Sequence, residues 1–325
     1  MSNKIRAGIV GYGNLGRGVE LALKRNDDFT LKAIFTRRDP SLMNTESNMV
    51  HIDNILDYKN DIDVMILCGG SANDLPEQGP AIAAHFNTVD SFDNHSEIPN
   101  YFNTIDKIAK QSNKVSLFSI GWDPGLFSLN RLMAQAIIPD GKTYTFWGKG
   151  ISQGHSEAIR RIDGVKDAVQ YTIPLEEAMK EVRAGNNPDL KAEERHKRIC
   201  YVVPYDLKDK DRIEREIKSM SGYFLGYDTT VYFITEEELI ANHSNMAHGG
   251  FVIHSGKTDG VHNHVIEYSL TLDNNPQFTS SVLVAFARAA YRLALDNKKG
   301  AFSIFDIPLA YLSPKPREEL RKTIL

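Results

Sequence analysis

Cysteine is scarce: Cys68 and Cys200 are the only two in 325 residues, each inside an apolar, strand-like run. That excludes a disulfide framework or a cysteine-built metal knuckle and fits reduced core thiols. Tryptophan is equally rare, with Trp122 and Trp147 alone. Basic charge is not in excess either. A formal net charge of -4 and a pI near 6.2 give no broad attraction to nucleic acid or an anionic membrane, so any phosphate affinity has to be local. No apolar run approaches the roughly 18 residues of a membrane-spanning helix, and the start, Met1-Ser2-Asn3-Lys4, lacks a secretory hydrophobic segment. The expectation is a soluble, cytoplasmic chain with no nucleic-acid or membrane partner. Internal repeats are also missing. What remains is length: 325 residues suffice for two domains, since single domains cluster near about 100–150 residues.

The most informative segment that is present lies within a dozen residues of the start. The apolar run at residues 5–10 leads into Gly11-Tyr12-Gly13-Asn14-Leu15-Gly16, and an amphipathic stretch follows over residues 15–24. Strand, glycine-rich turn and helix in that order open a dinucleotide-binding unit. The first glycine permits the tight turn, the second lets backbone approach the pyrophosphate, and the third lets helix pack close to strand. Helix amides then face the phosphates. The next strand, residues 31–36, ends in Thr36-Arg37-Arg38. Enzymes that use NAD usually carry Asp or Glu about 20 residues beyond the glycines; two guanidiniums there suit a 2′-phosphate, so the expected cofactor is NADP.

Further strands are expected at residues 64–68, 88–91 and 115–120, with helical stretches between most of them. Near-continuous apolar strands interleaved with helices imply a doubly wound, Rossmann-type parallel sheet, which binds ligands beyond the carboxyl ends of its strands. Three of those ends are polar: Cys68 runs into Gly69-Gly70-Ser71-Ala72-Asn73-Asp74, Val89 into Asp90-Ser91-Phe92-Asp93-Asn94-His95, and Ile120 into Gly121-Trp122-Asp123-Pro124-Gly125. They are expected to converge on the cofactor, with Cys68, Gly69, Gly70, Ser71 and Ala72 among its contacts. After a helix at 126–137, strand-like runs at 143–147, 168–173, 198–203, 229–234, 251–255 and 265–272 often alternate apolar and polar residues, as in a sheet wet on one face. This predicts a second, mostly antiparallel α+β domain over 124–277, carrying helices such as 211–220. Residues 281–295 are amphipathic again and are expected to return to a dinucleotide domain made of 1–123 plus 278–325. Residues 184–194 read as a polar surface loop, and Asn274-Asn275-Pro276 as a turn.

Asp93 and Asp123 follow different strands of the first domain, so the fold can bring both carboxylates beside the nicotinamide. Such a pair can hold a substrate ammonium and move protons; a lone Asp after a strand is more often a turn or cap residue. Asp90 ends its strand and reads as a residue that orients the loop. Trp147 closes a strand and either walls the hydride path or packs in the core. Arg198, within the strand-like stretch 196–203, either faces inward to bind a carboxylate bidentately or points to solvent. Five of the ten histidines fall between His243 and His264. With no acidic or thiol ligand at the usual spacing, no metal site is expected. Residues 242–250 read as a loop presenting hydrogen-bond donors.

Taken together, Gly-Tyr-Gly-Asn-Leu-Gly-Arg (11–17), Phe-Thr-Arg-Arg (35–38), Asp-Leu-Pro-Glu-Gln (74–78), Gly-Trp-Asp-Pro-Gly (121–125), Thr-Phe-Trp-Gly (145–148) and Ser-Gln-Gly-His-Ser (152–156) closely resemble the meso-diaminopimelate D-dehydrogenase family, nearly end to end. The resemblance implies reversible NADP-dependent oxidative deamination at the D-centre of meso-2,6-diaminopimelate, giving L-2-amino-6-oxopimelate and ammonia, in lysine and peptidoglycan-precursor metabolism. It also implies a homodimer paired through the second domain. By motif it places Asp93 and Asp123 at the reacting carbon, surrounds them with Trp122, Trp147, Gln153 and Gly154, and assigns Thr172, Arg198, His248 and Asn275 to the distal L-centre. Three positions depart from the family pattern: Ala247 before His248 where relatives have proline, Asn73 where threonine is usual, and Glu157 in place of aspartate after Ser156. A longer carboxylate and a freer loop there are expected to loosen the substrate pocket.

Two rivals would share the NADP fold. A dihydrodipicolinate reductase should show paired histidines with a nearby lysine, and a sugar-type oxidoreductase a Glu-x-x-Lys-Pro motif; neither is found. A third reading, a non-catalytic NADP sensor, predicts no organised carboxylate pair and no inward Arg198.

Overall fold

The computed structural model describes residues 4–325. The chain forms two compact units, one comprising the residues up to Leu129 together with Pro276–Leu325, the other Asn130–Asn275. In the first unit, β1 (Ile5–Val10), α1 (Asn14–Lys24), β2 (Phe29–Thr36), β3 (Met49–His51), β4 (Val64–Leu67), α2 (Leu75–Ala83), β5 (Thr88–Asp90), α3 (Ile98–Ser112) and β6 (Val115–Leu117) follow in order. Helix α4 (Leu126–Ile137) then crosses the boundary in sequence between the units. The second unit holds β7 (Asp140–Trp147), β8 (Gly150–Ile151), α5 (Gln153–Arg160), β9 (Val165–Pro174), α6 (Glu176–Arg183), β10 (His196–Pro204), α7 (Lys210–Ser219), β11 (Thr229–Phe233), α8 (Glu236–His243), β12 (His248–Lys257) and β13 (Asn263–Leu272). The chain returns to the first unit with α9 (Asn275–Leu295), β14 (Gly300–Phe302) and α10 (Arg317–Thr323).

The first unit is built on a seven-stranded sheet in the order β14-β6-β5-β4-β1-β2-β3, every pairing parallel. Both faces are covered, and the sequence dictates this residue by residue. Val64 and Ile66 of β4 enter one core cluster with Ile9, Val19 and Leu283, whereas Met65 and Leu67 enter another with Phe35, Leu75 and Ile105. A strand that is apolar at every position has nowhere else to put its side chains. Order reverses across β1, which places the ligand crevice at the carboxyl ends of β1, β2 and β4.

The second unit contains two small sheets, β11-β10-β9-β8 and β13-β12-β7. All their pairings are antiparallel except β10 with β11. The alternation in β10 puts His196, Arg198 and Cys200 on the buried side.

Two expectations need correction. Residues 242–250 are not one loop: α8 runs to His243, started by a capping box between Thr235 and Glu238, and β12 begins at His248, leaving only 244–247 irregular. Asn275 opens α9 rather than completing a turn. Glu157 is exposed on α5 and accepts hydrogen bonds from Arg160 and Arg161. Among the described residues, α9 is long and apolar enough to cross a membrane, with a mean hydropathy of 1.2, yet 56% of that stretch is buried in the fold. Its Arg288 is paired with Asp28 at 2.5 Å, so it reads as a core helix.

Candidate active site

In the first unit, the turn after β1 is shaped by its glycines. Gly11 has φ +91°, a side chain on Gly16 would lie 2.1 Å from the Gly11 carbonyl, and nothing approaches the place a Gly13 side chain would occupy. Helix α1 starts from Gly13 with no side-chain cap, so its first amides point into a crevice of about 390 Å³. Gly11, Tyr12, Gly13, Thr36, Arg37, Arg38, Cys68 and Gly69 line it, with Val10, Phe35, Ile52, Asp74 and Gln78, of which only Asp74 lies in a segment expected to reach the cofactor. Asp74 and Gln78 belong to the Asp-Leu-Pro-Glu-Gln motif, whose helical spacing points them at the same crevice from the start of α2. Asn14, Leu15 and Gly16 form the first turn of α1, and Gly70, Ser71 and Ala72 lie in the loop after β4.

The arginine pair is held at the rim. Arg38 donates from Nη2 to the Tyr12 carbonyl at 2.7 Å, and Arg37 donates to Asp74 at 2.7 Å. The second pair is solvent-exposed on the arginine side, so releasing Arg37 to an incoming phosphate costs little. Behind the loop, Glu20 is buried. Desolvation would raise its pKa, but hydrogen bonds from Lys24, Ser47, Tyr12 and Thr45 together hold it at about 2. A crevice at a helix N-terminus without a side-chain cap, with backbone open at Gly13 and two guanidiniums at its rim, fits a dinucleotide bearing a 2′-phosphate.

The three polar strand ends are joined by hydrogen bonds. The Asp93 amide donates to Ser71 Oγ at 3.0 Å, linking the loops after β4 and β5. Asp90, 2% exposed, accepts from the Phe92 amide at 3.0 Å and the Ser119 amide at 3.2 Å, linking the loops after β5 and β6. Asp93 is exposed and Asp123 half-buried. Trp122 is buried, packed edge-on against Phe127.

In the second unit, Arg198 faces inward. It is 7% exposed, donates from Nη1 to Thr172 Oγ1 of the adjacent strand, and lies 4.3 Å from the ring centre of Tyr227. Its Nε is buried with no hydrogen-bond partner. A buried guanidinium with an idle donor is an anion site, because the cost of burying the charge is recovered only when an acceptor arrives. His196 precedes it on the same face and accepts from the Trp147 amide at 2.8 Å, with the Trp147 ring stacked on the imidazole. Burial, and then the charge of Arg198, lowers both His155 and His196 to about 4, so both are neutral near pH 7. Trp147 is 37% exposed. Gln153 and Gly154 are exposed at the start of α5, His248 and Asn275 half-buried. Tyr227 was not foreseen; a tyrosine in a loop carries no signal of a cation–π contact.

Residues 121–274 match the family described as diaminopimelic acid dehydrogenase C-terminal domain. The chain is 61% identical over 325 residues to the meso-diaminopimelate D-dehydrogenase of Ureibacillus thermosphaericus, covering 99% of this chain and 100% of that one. The chain belongs to the meso-diaminopimelate D-dehydrogenase family. Two solved structures extend the likeness to the fold. The C. glutamicum DAP dehydrogenase in complex with DAP has a TM-score of 0.94 and 44% identity, with all of both chains covered. An engineered D-amino acid dehydrogenase bound to NADP+ has a TM-score of 0.89 and 42% identity, covering 99% of this chain and 100% of that one.

Proposed function

We propose that this protein catalyses the reversible NADP-dependent oxidative deamination of meso-2,6-diaminopimelate at its D-centre, yielding L-2-amino-6-oxopimelate and ammonia, as a step of amino-acid biosynthesis. The observation that carries the reading is Arg198, a buried cation with an unused Nε–H beside the Thr172 hydroxyl, in a chain with 61% identity to a named enzyme of this activity. A substrate with two carboxylates and two ammoniums needs such a group at one end and carboxylates at the other.

When bound, NADP+ accepts the hydride released from the D α-carbon. The chain's own residues do the rest. Asp93 and Asp123 hold the D-ammonium, and one of them takes its proton, directly or through water, before the hydride leaves. A carboxylate then serves as general base for the water that adds to the imine, and ammonia departs. Trp122, Trp147, Gln153 and Gly154 enclose the reacting end. Arg198, Thr172, His248 and Asn275 hold the distal L-centre, which fixes the face of the D-carbon presented for hydride transfer and so selects D over L. Thr36, Arg37 and Arg38 bind the 2′-phosphate, while the glycine turn and residues 68–72 bind the remainder of the cofactor.

The working form is a homodimer paired through the second unit, where Tyr201 of β10 stacks between His243 of α8 and the exposed Tyr232 of β11. A cytoplasmic location accords with the need for NADP and with two unpaired thiols. The test is incubation of the purified protein with meso-diaminopimelate and NADP+ while following NADPH absorbance. Steady NADPH formation that the L,L-isomer does not elicit is expected. No NADPH across a range of pH and substrate concentration would overturn the reading.

A further inference from the structure

The carboxyl of Asp90 is buried and does not line the cofactor crevice, yet it accepts three hydrogen bonds where the loops after β5 and β6 meet. One oxygen accepts from the Phe92 and Ser119 amides, and the other accepts from the Tyr101 hydroxyl at 2.8 Å. The Asp90 carbonyl accepts in addition from the Ile120 amide at 2.9 Å. Each bonded amide has a meaning in the chain. Phe92 immediately precedes Asp93, and Ser119 begins the loop that reaches Asp123 within four residues. Ser119 sits at φ +56°, a conformation that side-chain-bearing residues avoid unless the surroundings impose it. The acceptor on Asp90 is what meets its amide there.

The remaining neighbours are arranged to keep that carboxyl in place. The Phe92 and Tyr101 rings stack with centres 4.1 Å apart and planes 12° from parallel, so the loop is clamped by its ring as well as by its amide. Tyr101 reaches Asp90 from α3 across α2, and it can do so because position 79 is glycine: a β-carbon there would lie 2.2 Å from the tyrosine hydroxyl. Gly79, Tyr101 and Asp90 thus form one line of support running from α2 to the two loops.

We propose that Asp90 is a positioning residue for the reaction, its buried carboxyl setting the relative placement of the loops that carry Asp93 and Asp123. This rests on the proposed roles of those two aspartates. Small errors at a reacting centre are expensive, since a displacement of about 1 Å costs on the order of 100-fold in rate.

The test compares Asp90→Leu, Asp90→Asn and Tyr101→Phe, reading kcat, the KM for meso-diaminopimelate, NADPH affinity by fluorescence, and Tm. Leucine removes every acceptor, whereas asparagine keeps an oxygen for the two amides and turns its NH2 to the tyrosine oxygen. The expected pattern for Asp90→Leu is a kcat lower by about 100-fold with NADPH affinity within about threefold of the native protein. Asn should recover most of that loss, and Tyr101→Phe should cost kcat roughly threefold to tenfold, by loss of one of the three bonds. A folded Asp90→Leu protein with near-native kcat and only a lower Tm would overturn the proposal, as would a kcat loss matched by an equal loss of NADPH affinity. Should Asp90→Leu fail to fold, Tyr101→Phe decides: an unchanged kcat overturns it. If the native protein turned over no meso-diaminopimelate at all, the reading of function would fail first, and distinguishably.

Discussion

The two units bury opposite charges at their working ends and treat them differently. In the first, Asp90 is a buried carboxyl that its own chain satisfies completely, with two amides and a hydroxyl. In the second, Arg198 is a buried guanidinium that its own chain satisfies incompletely: Thr172 and the Tyr227 face attend to it, while its Nε has nothing. A buried polar group that is fully bonded belongs to the framework. One left with an idle donor is costly to the fold, and at Arg198 that cost is what the proposed substrate carboxylate would offset.

The largest effect should come from Arg198→Leu. Loss of a charge-assisted pair with the substrate carboxylate is expected to lower kcat/KM for meso-diaminopimelate by about 1000-fold, while Tm stays level or rises because an incompletely paired buried charge has been removed. A Tm loss as large as that of Asp90→Leu would break the contrast between the two sites. Next in size, replacing Arg37 and Arg38 together by alanine should raise the KM for NADP about 10- to 100-fold and leave that for NAD nearly unchanged. Equal effects on both cofactors would remove the 2′-phosphate role.

The smallest effects are in pH dependence, and they should have opposite signs in the two units. Burial raises Asp90 to about 6, so between roughly pH 4 and 6 the folded chain holds a proton that the unfolded chain has released, and stability falls as pH rises through that window. His155 and His196 are depressed to about 4, so their contribution is present above about pH 6.5 and is lost as pH falls toward 4. Asp90→Asn should remove the first slope, a change on the order of 2 kcal/mol between pH 4 and 7, and His196→Gln should weaken the second. Thermal melts of the variants across that pH range check both signs, and parallel slopes would count against the contrast.

Most of the parallel sheet was legible because a strand buried on both faces is apolar at every position, as β1 and β4 are. The strands that escaped notice, β3, β8 and β14, are two or three residues long, too short for any period to register. The glycine turn and arginine pair were legible as motifs. The orientation of Arg198 was not, since an arginine in a strand can face either way; register settles it by opposing Arg198 to Thr172 and placing it two residues from His196. Asp90 was legible as a strand-ending residue that orients its loop, but only the hydrogen bonds show that it is enclosed and saturated while Asp93 stands open.

Arg38 leans on the carbonyl of Tyr12, and the Tyr12 hydroxyl leans in turn on Glu20. The side chain proposed to read the 2′-phosphate is therefore also a brace for the glycine turn after β1. Anyone re-engineering this scaffold toward NAD by trimming Arg38 would be removing a tether along with a charge, and would need to supply a substitute donor for that carbonyl to keep the turn taut.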